Sequence, residues 1–318
     1  MAEIAGDEKE FHHFNDLSPN LRMLVIDGME PADRCRFTRC SRRSCEEAKA
    51  SKWYLYELNL SFNEPNSITI GVFYSSDDIG FRWIFRPIGA TIYRSYQSMD
   101  DQKSWHINLN TSEGLFELAL EKFHETLQTN QHSVKKLKID EALIAQHRNN
   151  YIDFDIESLA NLETLILAGN LNIHNLLSKV EKPLAYVYLK ENGNEGHEQI
   201  YKVTDHLCWL NPNIRNEQFL RIRARFVYIP IGQLTERNLL AFIRSWQNGT
   251  IGREIYWYQF EWKYSNFDKI KLLRLLRVRA DEHTNTRFEI KSFINPGRIA
   301  LLLIHRAVIH FKPEARLQ

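Results

Sequence analysis

The chain has 318 residues, 43% hydrophobic, 12% aromatic and 25% charged, which suits a folded protein with a short module beside a larger domain and excludes a disordered polypeptide. Its start, MAEIAGDEKE, lacks the basic end and apolar run of a signal peptide, and no segment nears the roughly 20 apolar residues of a membrane span, so a cytoplasmic or nuclear protein is expected. The net charge of +1 is uneven: residues Arg215 to Gln318 hold 19 Lys and Arg against 9 Asp and Glu, a net +10, leaving −9 on residues 1–214. Such a split fits an acidic partner or nucleic acid near the C-terminal third, and equally solvated helix faces.

Residues 1–10 read as a polar tail. In the next 44 residues Leu21, Leu24, Val25 and Met29 recur at helical spacing, with Pro19 suited to a first helical turn and Gly28 to its end. A second short helix is expected from Asp33 through Cys35, Phe37 and Cys40, and Ser44 with Glu47 stands in capping-box relation for a third. Three helices this short hide their apolar side chains incompletely. Cys35, Cys40 and Cys45 fall on different sides of a helix and Cys208 is remote, so neither a zinc site, a disulfide framework nor a cofactor is expected.

From about residue 55 the pattern turns to β. SITIGVFY, GFRWIFR, ATIYRSY and WHINL predict a short antiparallel meander. TSEGLFELALEKFHETLQTN predicts an amphipathic helix with Phe116, Ala119, Leu120, Phe123 and Leu127 on one face. Strands are then expected at VKKLKI, ETLIL, AYVYL, FLRIRARFVYI and EIYWYQF, whose centres Leu137, Leu165, Val187, Ile222 and Trp257 are 28, 22, 35 and 35 residues apart. The first two intervals and LANLETLILAGN resemble leucine-rich repeats, whereas the later ones are too wide, so an irregular α/β horseshoe is expected, with an ordinary α/β sheet as the alternative. Thr235 caps a helix carrying Leu239, Leu240, Phe242, Ile243 and Trp246, and Gly249 follows its end. A helix around Asp268 to Leu276 and strands near 287–293 and 299–311 close the domain.

Leu17, Pro19, Leu21, Leu24, Val25, Ile26, Met29, Asp33, Phe37, Cys40 and Ser41 together resemble the F-box, and LTERNLLAFIRSWQNGTIGREIYWYQFEW resembles the F-box-associated domain that follows it in the expanded nematode families. The resemblance implies an α+β protein: a three-helix F-box-like module over 11–54, then an irregular leucine-rich-repeat-like α/β domain over 55–318 with a short antiparallel β section. It also implies partners: a Skp-type adaptor of a cullin ligase, held by Leu17, Pro19, Leu21, Leu24, Val25, Met29, Phe37 and Cys40, and a protein substrate held by the C-terminal domain.

Strand alternation supplies a candidate substrate face. Leu137 and Ile139 alternate with Lys136 and Lys138, Val187 and Leu189 with Tyr186 and Tyr188, and Leu220, Ile222, Ala224, Phe226 and Tyr228 with Arg221, Arg223 and Arg225. On parallel neighbours, Lys136, Lys138, Tyr186, Tyr188, Arg221, Arg223 and Arg225 share one open face, a mixture that binding interfaces enrich and that also fits a solvated sheet. Three arginines in a row call for an acidic neighbour, from Asp153 and Glu157 or from a partner. Tyr256, Trp257, Tyr258, Phe260 and Trp262 read as a buried central strand. The chain carries no GxSxG elbow, P-loop, HExxH helix or dinucleotide fingerprint, so a non-catalytic adaptor is expected, with a nucleic-acid-associated or scaffold protein as the alternative.

Overall fold

The computed structural model describes residues 14–29, 37, 40–50, 55–63, 67–74, 80–86, 89–95, 104–107, 115–139, 156–168, 173–190, 197–210, 216–230, 235–251, 255–261, 267–277, 287–295, 297–304 and 308–315. Among these, the chain is mixed α+β, with eight α-helices and fourteen strands joined in one sheet.

A 3-10 turn over Phe14–Asp16 leads into α1 (Pro19–Gly28), where the Ser18 hydroxyl accepts the Leu21 N–H at 3.4 Å and Pro19 opens the first turn without wasting a donor. The next helix, α2 (Arg42–Ala50), begins earlier than the Ser44 and Glu47 pair suggests, because the Ser41 hydroxyl accepts the Ser44 N–H at 3.0 Å. Glu47 is drawn elsewhere. Arg22 of α1 is buried, and its guanidinium donates to Glu47 at 2.9 Å and to the Leu17 carbonyl at 2.6 Å, so the carboxylate compensates a charge taken out of water. Ile26 and Ala48 are fully buried beside this pair, yet neither belongs to the contiguous core, which begins at Leu55. Of the expected second helix, Phe37 and Cys40 are described, and the Phe37 ring meets Phe14 edge-on at 5.1 Å; Asp33 and Cys35 lie outside the described residues.

The strands are β1 (Glu57–Asn63), β2 (Ser67–Phe73), β3 (Gly80–Arg86), β4 (Gly89–Ser95), β5 (Ser104–Ile107), β6 (Lys136–Ile139), β7 (Thr164–Leu167), β8 (Tyr186–Leu189), β9 (His206–Trp209), β10 (Phe226–Pro230), β11 (Trp257–Glu261), β12 (Arg287–Lys291), β13 (Arg298–Ile304) and β14 (Val308–Ala315). They lie in the order β12-β13-β14-β11-β10-β9-β8-β7-β6-β1-β2-β3-β4-β5. β2 through β5 form the expected antiparallel meander, and β1, which was not among the expected strands, extends it antiparallel to β2 and pairs in parallel with β6, so starting the run β1-β6-β7-β8-β9-β10-β11. At the far end β14 turns antiparallel to β11, and the single strand expected over 299–311 is the pair β13 and β14.

Two sequence expectations fail here. HLCW forms β9, which was missed because a four-residue strand with His and Cys outward has no strong β signature. With β9 included, the equivalent buried residues Leu137, Leu165, Val187, Leu207, Val227 and Tyr258 are 28, 22, 20, 20 and 31 residues apart, so the middle of the chain repeats more regularly than the 35-residue intervals implied. The run FLRIRARFVYI is not one strand. A helix over Asn216–Phe219 continues as a turn, with the Arg221 N–H on the Gln218 carbonyl at 3.0 Å, and β10 begins only at Phe226. Ala224 and Val227, three residues apart, are both buried, so the alternation slips by one between them.

The interior is one core from Leu55 to Phe311. The helix α3 (Leu115–Asn130) lays Ala119, Phe123 and Leu127 against the meander as its spacing requires. The short helices α4 (Ile173–Ser178), α5 (Glu198–Tyr201) and α6 (Asn216–Phe219) lie between successive parallel strands. The longer α7 (Glu236–Gln247) has a reciprocal cap of Thr235 and Asn238, and Gly249 past its end takes a φ of +68°, a conformation that suits glycine. It packs against α8 (Lys269–Leu275), capped by Asp268. The buried Glu236 carboxylate joins the two helices, accepting the Asp268 N–H at 2.7 Å; burial opposes its charge, but this bond and Lys271 hold its pKa below the ordinary value.

Candidate functional site

Two surfaces stand out. On α1, Leu21 and Leu24 fall at helical spacing on one side, while Arg22 and Ile26 occupy the buried side that meets α2. Leu21 is 50% exposed and Leu24 67%; Leu17, Val25, Met29 and Phe37 are half-buried, and Pro19 and Cys40 exposed. The sequence allowed the leucines either a core or a partner role; the helices reserve their core for Ile26 and Ala48. The Arg22 and Glu47 pair was missed, since the two lie 25 residues apart with no local pattern joining them.

The second surface is the open face of the parallel run. One row crosses it in register as Glu57, Lys136, Thr164, Tyr186, His206, Phe226 and Trp257; the next as Asn59, Lys138, Ile166, Tyr188, Cys208, Tyr228 and Gln259. The strands position them because Leu137, Leu165, Val187, Leu207, Val227 and Tyr258 take the opposite, buried face. Lys136, Lys138, Tyr186 and Tyr188 are therefore brought together as the alternation predicts.

The three arginines are not part of that row. Arg221 lies in the turn after α6, where both Glu198 oxygens hold its guanidinium and the Tyr201 ring lies 5.2 Å below it. Its hydrogen bond raises the Arg221 pKa and lowers that of Glu198. Glu198 is thus the acidic neighbour of Arg221, where the sequence offered either Asp153 and Glu157 or a partner; Glu157 is exposed and Asp153 lies outside the described residues. Arg223 is exposed before β10, with its N–H on the Tyr201 carbonyl at 3.1 Å. Arg225 sits at the edge of the face, 5.8 Å over the Tyr256 ring. The slip in alternation puts Phe226 and Tyr228 on the open face instead of in the core. Likewise, of the aromatic strand expected to be buried, Tyr258 and Phe260 are interior, Trp257 is half-buried on the open face and Tyr256 is exposed, and Trp262 lies outside the described residues.

These changes put aromatic rings where the expected mixed face of lysines, tyrosines and arginines had its arginines. The His206 ring stacks on Phe226 at 4.4 Å and Phe226 on Tyr256 at 5.7 Å, with Tyr186 5.9 Å from His206 on the other side. Trp257 stacks on His310 at 5.4 Å. Burial raises the pKa of Tyr186, Tyr188 and Tyr228, and pushes the Cys208 thiol up to about 11, so at neutral pH the four are uncharged donors. Lys136 is paired with Glu57 at 2.6 Å.

Among the described residues no group of three or more His, Cys, Asp or Glu could hold a metal, and no helix is long and apolar enough to cross a membrane. No protein family, curated protein or solved structure matches the chain.

Proposed function

We propose that the protein is a non-catalytic substrate-recognition adaptor of a cullin-type ubiquitin ligase, working in the cytoplasm or nucleus. In this reading residues 11–54 are a divergent F-box that binds a Skp-type adaptor, and the repeats from residue 55 onward form a leucine-rich-repeat-like domain that captures a protein. The observation that carries it is the exposed apolar stripe of α1. Leu21 and Leu24 lie uncovered on a helix anchored from behind by the Arg22 and Glu47 pair, an arrangement that presents apolar surface instead of burying it. The 20- and 22-residue intervals between buried strand positions support the repeat reading, as they fall within the leucine-rich-repeat range.

Quantitative co-purification of a Skp-type adaptor with the full chain, and with a chain lacking residues 11–54, tests the proposal. Adaptor recovery with the first and not the second is expected; equal recovery, or none with the full chain, rejects it. The net +10 of the C-terminal third favours a second reading, nucleic-acid association, which would show affinity falling steeply with salt and no need for residues 11–54.

A further inference from the structure

The open face holds more base than acid, and its acids are already engaged. Glu57 is paired with Lys136, the Asp205 carboxylate lies 2.9 Å from His206 Nδ1, and Glu261 accepts from the Gln259 amide at 3.0 Å and from the Tyr228 hydroxyl. Against these stand Lys138 on β6, Lys190 at the end of β8, Arg225 ahead of β10 and Lys312 on β14. Lys312 shares the side of His310, because Phe311 between them is buried. Both flanks add base: Arg82 lies in the row of Asn59 beyond β2, and Arg287, Glu289 and Lys291 of β12 sum to one further positive charge. Among the described residues Lys138 and Lys312 make no ion pair, and the Tyr186 and Tyr188 hydroxyls, protonated at neutral pH, make no hydrogen bond. The rings between these groups turn their faces to one another. His206 and Phe226 are within 8° of parallel at 4.4 Å, Phe226 and Tyr256 within 11° at 5.7 Å, and Trp257 and His310 within 18° at 5.4 Å.

We infer that the segment captured on this face is an extended acidic peptide, whose Asp and Glu carboxylates lie along the ring edges and tyrosine hydroxyls between Lys138 and Lys312. The inference rests on the adaptor reading and names the class of substrate. A ring edge is the positive part of the aromatic quadrupole, so edges, hydroxyl donors and ammonium groups all favour negative charge. Nucleobases need open ring faces on which to stack, and the faces of these rings are turned to each other, which favours a peptide over a single-stranded nucleic acid. A phosphorylated residue gains most where several cations surround one dianion. Lys138 and Lys312 instead stand six strand-to-strand steps apart, about 29 Å at ~4.8 Å per step. That spacing fits carboxylates spread along about nine extended residues.

The test is selection of a random twelve-residue peptide library on the immobilised full chain. A polyuridylate oligonucleotide and a phosphoserine peptide, neutral apart from its phosphate, serve as parallel probes. The selected peptides should be rich in Asp and Glu and poor in Lys and Arg. Lys138→Glu together with Lys312→Glu should lower their affinity about tenfold and reselect basic peptides. The same change of charge at the exposed Arg237 and Arg244 of α7, a helix that packs Phe242 on Phe311 from the opposite side of the sheet, should leave affinity unchanged. A matched thermal melt confirms that each variant is folded. Neutral or basic selected peptides, a sheet variant that loses no more affinity than the α7 variant, or tighter binding of either probe than of any acidic peptide overturns the inference. Adaptor recovery from the same preparations separates the two failures: retained adaptor with no acidic peptide removes this inference alone, and absent adaptor removes the function on which it rests.

Discussion

Replacing Leu21 and Leu24 together by Ala distinguishes a packing role from a docking role, because the two roles predict opposite ratios of stability loss to binding loss. Full burial of a Leu side chain contributes about 1.5–3 kcal/mol. Leu21 already hides half its surface and Leu24 a third, so the double substitution should cost folding at most about 2.5 kcal/mol in total. A partner that covers the remaining half and two-thirds would gain about 1–2 kcal/mol from each, or roughly 2–4 kcal/mol together. Adaptor affinity should therefore fall by a factor of about 30 to 1,000. Titration of a purified Skp-type adaptor measures the second quantity, and urea unfolding followed by far-UV circular dichroism the first. A binding loss below about threefold with the fold intact would refute the docking role of this stripe. An Ile26→Ala control, at a fully buried position, should reverse the ratio, with about 2–5 kcal/mol lost in the helical module.

Two further outcomes follow from the sheet. Tyr258→Phe removes a buried hydroxyl that donates to the Ala224 carbonyl at 3.0 Å, which should cost about 1–2 kcal/mol and a few degrees of melting temperature, whereas Tyr256→Phe at the exposed neighbour should cost almost nothing; equal effects would show that the hydroxyl does not anchor the segment before β10. Stability should also fall in alkali: burial raises the Cys208 pKa from 9.0 to about 11 and that of Tyr201 from 10.0 to about 12, so the native state holds these protons more tightly than the unfolded chain. The contribution is complete below pH ~9 and is lost as pH rises through the folded values, and Cys208→Ser should flatten the first part of the decline; a urea midpoint constant from pH 8 to 11 would contradict this.

Much of the protein was legible in its sequence because local periodicity is a direct consequence of which face is buried. Lys136 and Lys138 alternate with Leu137 and Ile139, and Tyr186 and Tyr188 with Val187 and Leu189; each strand has a dry side and a wet side, and period two records it. The cap at Thr235 and the stripes of α3 and α7 were readable for the same reason, since each depends on residues within one or two helical turns. What needed tertiary structure were the choices made between distant segments. Three arginines at alternate positions look like one strand face, but the Tyr258 hydroxyl, 34 residues beyond Ala224, reaches the carbonyl there, and the buried pair Ala224 and Val227 resets the alternation. That single-residue slip moved Phe226 and Tyr228 onto the open face, and the turn after α6 left Arg221 to Glu198, so the surface is aromatic where the sequence read arginines beside the lysines and tyrosines. Arg22 and Glu47 show the same limit in the helical module: a charge can be buried only where its partner arrives, and the partner's arrival is a property of the folded chain.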